Sequence, residues 1–143
     1  MQFRSRFLAP ILTASLLCGG VAAAKADDSR AGEVQATISA QIEAFRHDDG
    51  AKAYSFAAPG IQMMFPSPDA FMAMVKGGYA PVYHPQQFQF SGFHADGDRL
   101  VQSVDITASD GTGWIAEYTL VRSADGSLRI EGCKLSKRPG VGA

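Results

Sequence analysis

The residues of this chain whose types and spacing could do chemistry are its tyrosines, its tryptophan and a few carboxylates. Tyr79, Tyr83 and His84 crowd the segment GYAPVYHPQ, and Trp114 and Tyr118 share one parity of GWIAEYTLV. A tyrosine hydroxyl can donate to a developing oxyanion. Proton abstraction beside it needs a carboxylate general base aimed into the same apolar space. Asp48 and Asp49, side by side, could raise one pKa and supply that base. Their plainer reading is a solvated turn ahead of Gly50, where Asp is at home. Asp105 and Glu117, the obvious strand acids, fall on the parity opposite Trp114 and Tyr118. No strand acid then faces the apolar side unless a β-bulge reverses the alternation. No catalytic residue is assigned.

Other chemistries find less support. His47, His84 and His94 are scattered, without the i, i+2 or i+4 pairing that zinc ligands use, so no metal site is expected. No Gly-rich loop passes from a strand into a helix to cradle phosphate, and no nucleophile elbow is present, so no cofactor is expected either. Two cysteines, Cys18 and Cys133, are too few for a disulfide framework. Cys133 lies in the apolar stretch IEGCKLS, with no His beside it and no helix start, and is expected to be buried and inert. Met63, Met64, Met72 and Met74 with Phe65 and Phe71 could form an adaptable lipid-like pocket, although such clusters more often fill a core.

The elements that must position these residues read clearly. Val34, Ile38, Ile42 and Phe45 recur at steps of four, four and three, the stripe of an amphipathic helix over 33–47. A second short helix runs through AKAYSFA and stops before Pro59-Gly60. A third opens at Ser67-Pro68-Asp69 with an N-cap, a proline in the first turn and an acid there. It buries Phe71, Met74 and Val75 and closes at Gly77-Gly78. Pro81 and Pro85 predict an extended connection after it.

From residue 86 the period changes to two. QFQFSGF, RLVQSVDITA, GWIAEYTLVR and SLRIEGCKLS alternate as strands, separated by the Asp-Gly turn signals ADGD, SDGT and SADG. The expectation is an α+β domain: three N-terminal helices packed on a curved four-stranded antiparallel meander. Parity puts Leu100, Gln102, Val104, Ile106 and Ala108 on the covered face, with Trp114, Ala116, Tyr118 and Leu120, and with Phe88 and Phe90. Tyr79, Tyr83, Trp114, Tyr118, Phe88 and Phe90 are therefore the candidate ligand-binding residues.

Ahead of the domain stands an address. Arg4 and Arg6 precede an apolar run from Phe7 to Cys18, and Ala24 and Ala26 form an A-x-A-like cleavage site before Asp27-Asp28. The run is shorter than the roughly 20 residues needed to span a bilayer, so no stable membrane anchor is expected after cleavage. Leu17 before Cys18 disfavours lipidation. Residues 1–26 are thus a signal peptide, 27–136 the domain and 137–143 a loose tail. The mature protein is expected in the periplasm or outside the cell.

The whole chain of 143 residues carries 13 basic and 14 acidic residues. Without residues 1–26, which include Arg4, Arg6 and Lys25, 10 basic residues face 14 acidic ones, a net charge of −4. That balance argues against nucleic acid and anionic membrane surfaces as partners.

The order of elements resembles the cystatin-like, cone-shaped fold of nuclear transport factor two, ketosteroid isomerase and polyketide cyclases, in which a curved sheet wraps helices around an apolar cavity. The strings QIEAFRHDDGAKAYSFAAPGIQMMF, FMAMVKGGYAPVYHP and GWIAEYTLVRSADGSLRIEGCKL resemble more closely an exported bacterial family catalogued as domain of unknown function 4864. The resemblance spans most of residues 33–136, implies export, and transfers no catalytic residue. Three functions are compatible with this reading. The first is a non-catalytic module binding a small apolar or amphipathic ligand, or a partner protein. The second is an isomerase- or cyclase-like enzyme using Tyr79, Tyr83 or Tyr118 with Asp48 or Asp49. The third is a homodimer formed through the sheet face carrying Val101, Ile115, Thr119 and Val121.

Overall fold

The computed structural model describes residues 20–140; most of the expected signal peptide and the last three residues of the tail lie outside it. Helix α1 (Gly20–Arg46) is followed by α2 (Gly50–Ser55), α3 (Pro59–Met64), α4 (Pro68–Gly78) and α5 (Ala80–Tyr83). Four strands follow: β1 (Gln87–Asp96), β2 (Arg99–Thr107), β3 (Gly113–Arg122) and β4 (Leu128–Lys137). They form one antiparallel sheet in sequence order. The hairpins turn at Gly97, Gly111 and Gly126, each with positive φ, as the three Asp-Gly signals require.

The helical half is more finely divided than the three helices its periodicity predicts. The extended connection expected around Pro81 is instead α5, a single helical turn, and a further short helix, α3, starts at Pro59. Both place a proline in the first turn, where its missing N–H costs no hydrogen bond. In α4 the Ser67 hydroxyl caps the helix by accepting from the Ala70 N–H at 3.1 Å. Its buried residues are Phe71, Met72 and Val75, so Met72 takes the core position expected of Met74.

The stripe of α1 lies across the sheet. Val34, Ile38 and Ile42 are fully buried against Leu100, Val104, Ile106 and Leu120, each such side chain contributing about 1.5–3 kcal/mol. A second cluster, built by Phe45, Ala53, Phe71, Met72 and Val75, holds α2 and α4 against the C-terminal end of α1.

Two β-bulges bend the sheet around these helices. One lies between Phe90 and Phe93 in β1, so Phe88, Phe90 and Phe93 all pack toward the core. The fully buried Gln102 closes it: its Nε2 donates to the carbonyls of Ser91 and Gly92, at 3.3 and 3.2 Å, and to that of Ser103. Gln35 donates to the Gln102 Oε1 at 3.2 Å. This explains a polar residue among the core positions of β2.

The second bulge places Glu131 as the extra residue of β4, between the pairs Leu120–Ile130 and Thr119–Gly132. It reverses the parity of β4. Ile130 faces the helices from one side of the bulge, and Cys133 and Leu135 face them from the other. The alternation of β2 and β3 is uninterrupted, so Asp105 and Glu117 stay on the outer face.

On that outer face Val101 is buried, Ile115, Thr119 and Val121 are half-buried, and Glu117 is exposed. Arg99 and Glu131, at 2.8 Å, and Arg138 and Asp105, at 2.9 Å, add exposed ion pairs there. The Arg138 N–H also bonds the Gly113 carbonyl, so the first residues of the expected tail are tied to the sheet.

Candidate functional site

An apolar pocket of about 340 Å³ opens where the two core clusters meet. Its inner wall is the sheet, with Tyr118 from β3 and Ile130, Gly132 and Cys133 from β4. Gln41 and Phe45 of α1 and Phe71, Met74 and Val75 of α4 form the opposite side. Ile61, Met64 and Phe65, from α3 and the residue after it, stand at the mouth. The volume lies at the small end of the roughly 300–1,000 Å³ found for ligand sites.

The helix at the mouth is held by hydrogen bonds to its backbone and by its Gln62 side chain. Tyr54 donates its hydroxyl to the Phe65 carbonyl at 2.6 Å, and Gln62 Nε2 donates to the carbonyls of Tyr54 and Ala57. At the edge of β4 the Ala58 N–H bonds the Ile130 carbonyl, and the Ile130 N–H bonds the Phe56 carbonyl. With its backbone fixed this way, α3 buries none of its own side chains, and Met63 and Met64 are 83% and 72% exposed.

Tyr118 is the polar centre of the pocket. The residue is 1% exposed, and its hydroxyl has no hydrogen-bond partner among the described residues. Leaving such a group unsatisfied costs about 1–3 kcal/mol. The Cys133 thiol, directly across the strand pair, is its polar neighbour, and a weak hydroxyl–thiol contact contributes to the shifts of both groups. Burial pushes the Tyr118 hydroxyl well above the ordinary tyrosine range, with the adjoining Cys133 adding to the rise. Burial likewise pushes the Cys133 thiol up to about 12. At neutral pH both groups keep their protons, and the thiol is a poor nucleophile.

Two other polar side chains of the wall, Gln41 and Glu131, are committed elsewhere. Gln41, 3% exposed, donates through Nε2 to the Ala53 carbonyl at 3.1 Å. Glu131 meets the Arg99 guanidinium through both carboxylate oxygens, at 2.8 and 3.2 Å.

Of the six candidate residues read from the sequence, the structure brings Tyr79 and Tyr118 together in this pocket. The other four stand outside it. Tyr83 donates its hydroxyl to Asp48, which raises the tyrosine above its ordinary range, and its ring stacks on His84 at 3.9 Å. Trp114 lies at the far end of β3 with Lys137 Nζ 5.6 Å from its ring centroid. Phe88 and Phe90 pack edge to face on β1, and Arg46 lies over Phe88.

The acidic pair behaves as a turn. Asp48 takes a left-handed backbone, with φ 53°, and Asp49 caps α2 by accepting from the Lys52 N–H at 3.1 Å. Neither carboxylate lines the pocket. Among the described residues no group of His, Cys, Asp and Glu is placed to hold a metal ion, and no helix is long and apolar enough to cross a membrane.

The methionine–aromatic cluster divides between two roles: Met64, Phe65, Phe71 and Met74 line the pocket, whereas Met72 is core and Met63 is on the surface. Sequence periodicity did not point to Gln41 or Cys133 as pocket residues. For Cys133 the one local signal was Gly132, since a glycine inside a strand pattern often marks a bulge.

Comparison with known proteins places this geometry in a family. Residues 27–143 match the family described as Domain of unknown function (DUF4864), and the chain belongs to it. No curated protein matches the sequence. Among solved structures, an NTF-2-like protein of unknown function from Silicibacter pomeroyi DSS-3 is similar in fold. It is 18% identical, with a TM-score of 0.55, over 78% of this chain and 98% of that one. A protein from Catenulispora acidiphila is 18% identical with a TM-score of 0.49, over 79% of this chain and 94% of that one. An NTF2-like protein of unknown function from Burkholderia pseudomallei K96243 is 17% identical with a TM-score of 0.35, over 73% and 89%. The first of these likenesses bears out the cone-shaped α+β fold.

Proposed function

We propose that this DUF4864 domain is an exported, non-catalytic binding module whose pocket takes a small apolar or amphipathic ligand. One observation carries the reading: a fully buried tyrosine hydroxyl without a hydrogen-bond partner among the described residues, behind the wall of a mainly apolar pocket. Native proteins rarely leave such a group unpaired, and a ligand oxygen would satisfy it once the wall yields, since in the ligand-free protein the hydroxyl is closed off from the pocket space. The flexible thioethers of Met64 and Met74 suit the pocket to ligands of varied shape.

Placement of the carboxylates favours binding over proton abstraction. A general base must reach its proton directly or through one water. Asp48 and Asp49 lie outside the pocket, and Glu131 is engaged by Arg99. Export is supported by the leader-like residues 1–26 and by the family match, which begins at residue 27, the first residue after the expected cleavage site.

Native mass spectrometry of the protein purified from the envelope fraction of its own cells tests both parts. The expected result is a chain beginning at Asp27 with a co-purifying apolar molecule, and loss of that molecule in Met74→Trp, which fills the pocket. A chain that retains residues 1–26 in the cytoplasm overturns export. A bare mass for the wild type together with no thermal shift from a panel of apolar molecules overturns binding.

A further inference from the structure

The chemistry of the pocket wall restricts what can enter it. Glu131 is the one wall residue with a side chain charged at neutral pH, and Arg99 holds its carboxylate in an exposed ion pair belonging to the outer sheet face. Of the cations next to wall residues in the chain, Lys134 lies on the outer sheet face beside Glu117 and the others are occupied. Lys76 pairs with Asp48 and lies over the Tyr83 ring, and Arg129 bonds Asp125 and the Ser55 carbonyl. An anionic ligand head would therefore lose its water without gaining a cation, and an ammonium head would find no free carboxylate. Either loss is far larger than that of a neutral oxygen. The uncharged donors of the wall are the Tyr79 hydroxyl, the weak Cys133 thiol and, at the inner end, the fully buried Tyr118 hydroxyl, which has no hydrogen-bond partner among the described residues.

We infer that the pocket selects uncharged apolar molecules bearing a hydrogen-bonding oxygen at one end, such as an alcohol, ketone or ester, with Tyr118 Oη as the selecting group. The corresponding carboxylates and amines are excluded. This inference rests on the ligand-binding reading above and sharpens it to a chemical class. Tyr118 positions and discriminates; it breaks no bond.

The test uses four probes of equal chain length, 1-decanol, 2-decanone, decanoate and decylamine, with n-decane as a reference lacking oxygen. Affinities for the purified protein are measured by native mass spectrometry and by thermal shift at pH 7.5. The alcohol and ketone are expected to bind at least about tenfold more tightly than decanoate or decylamine. Decanoate is expected to gain affinity in the wild type as the pH falls toward 5 and the free acid forms. Tyr118→Phe should weaken the alcohol and ketone by about tenfold and leave n-decane unchanged.

Equal binding of decanoate and decanol at pH 7.5 overturns the inference and leaves the ligand-binding reading standing. A loss in Tyr118→Phe that is the same for n-decane as for decanol also overturns it, since the hydroxyl then selects nothing. Failure of all five probes to bind overturns both. The pH dependence of decanoate is read on the wild type, so it holds even if the variant folds poorly.

Discussion

Tyr118 of β3 and Cys133 of β4 are directly paired across the sheet, and both line the same apolar pocket. That relationship exists because the extra residue Glu131 shifts the register of β4 between Gly132 and Ile130. Without the bulge, Cys133 would face out with the odd-numbered positions, and Lys134 would face in. The bulge thus keeps a lysine out of the pocket and sets a thiol beside the tyrosine.

Removing the Tyr118 hydroxyl should separate stability from binding. Tyr118→Phe deletes a buried group that has no hydrogen-bond partner among the described residues. Replacing such a group by an apolar one of the same shape is neutral or stabilising. The unliganded variant should have an unchanged or higher Tm by thermal denaturation, with a smaller ligand-induced shift. A Tm several degrees lower would mean that the hydroxyl is satisfied within the protein.

Raised pKa values make the fold alkali-sensitive. The Cys133 thiol keeps its proton to about 12 in the folded protein, against an ordinary value of 9.0. Between these values the unfolded chain has lost the proton and the folded one has kept it. Stability therefore falls as pH rises from about 9 to 12, by at most about 1.4 kcal/mol per pH unit from this group. Tyr118, also raised, acts in the same direction above pH 10. Urea titrations at pH 8, 9 and 10 should show the decline in the wild type and a shallower one in Cys133→Ala. The native thiol should also resist alkylation at pH 8 and react on unfolding.

Gln102 should be a large stability determinant with no direct part in binding. Its amide satisfies two carbonyls of the β1 bulge while fully buried. Gln102→Leu leaves those carbonyls without their donor and should cost about 1–3 kcal/mol in a urea melt. A cost near zero would show that the bulge carbonyls find other partners.

The turn acids should be dispensable for binding. Asp48→Asn and Asp49→Asn alter the Tyr83 contact and the α2 cap, both outside the pocket. Ligand affinity in each is expected within about twofold of wild type, measured by thermal shift, because neither carboxylate reaches the ligand. A loss of more than tenfold would return the acidic pair to the site and revive the enzyme reading.

The sheet was legible from the sequence because two local signals agreed there. Alternation at period two marked Val104, Ile106, Ala116 and Leu120, and three Asp-Gly turns fixed the hairpins between them. The α1 stripe was legible for the same reason at period 3.6. What alternation could not carry was its own interruption: the bulges at Ser91–Gly92 and Glu131 are single-residue insertions decided by how the sheet must curve. Prolines at 59 and 81 were ambiguous, since the same residue stiffens an extended segment or opens a helix. The pocket was the least legible part. Its walls meet from α1, α3, α4, β3 and β4 through contacts between distant positions, so Trp114 and Phe88 shared a parity with Tyr118 but not its surroundings.

A crystal structure of the protein with 1-decanol tests the central claim most directly. The account expects elongated density between Tyr118, Phe71 and Met74, ending in an oxygen about 2.7 Å from Tyr118 Oη. A pocket closed by Met64, Phe65 and Met74, with Tyr118 Oη bonded to a protein group and no density for the alcohol, would contradict it.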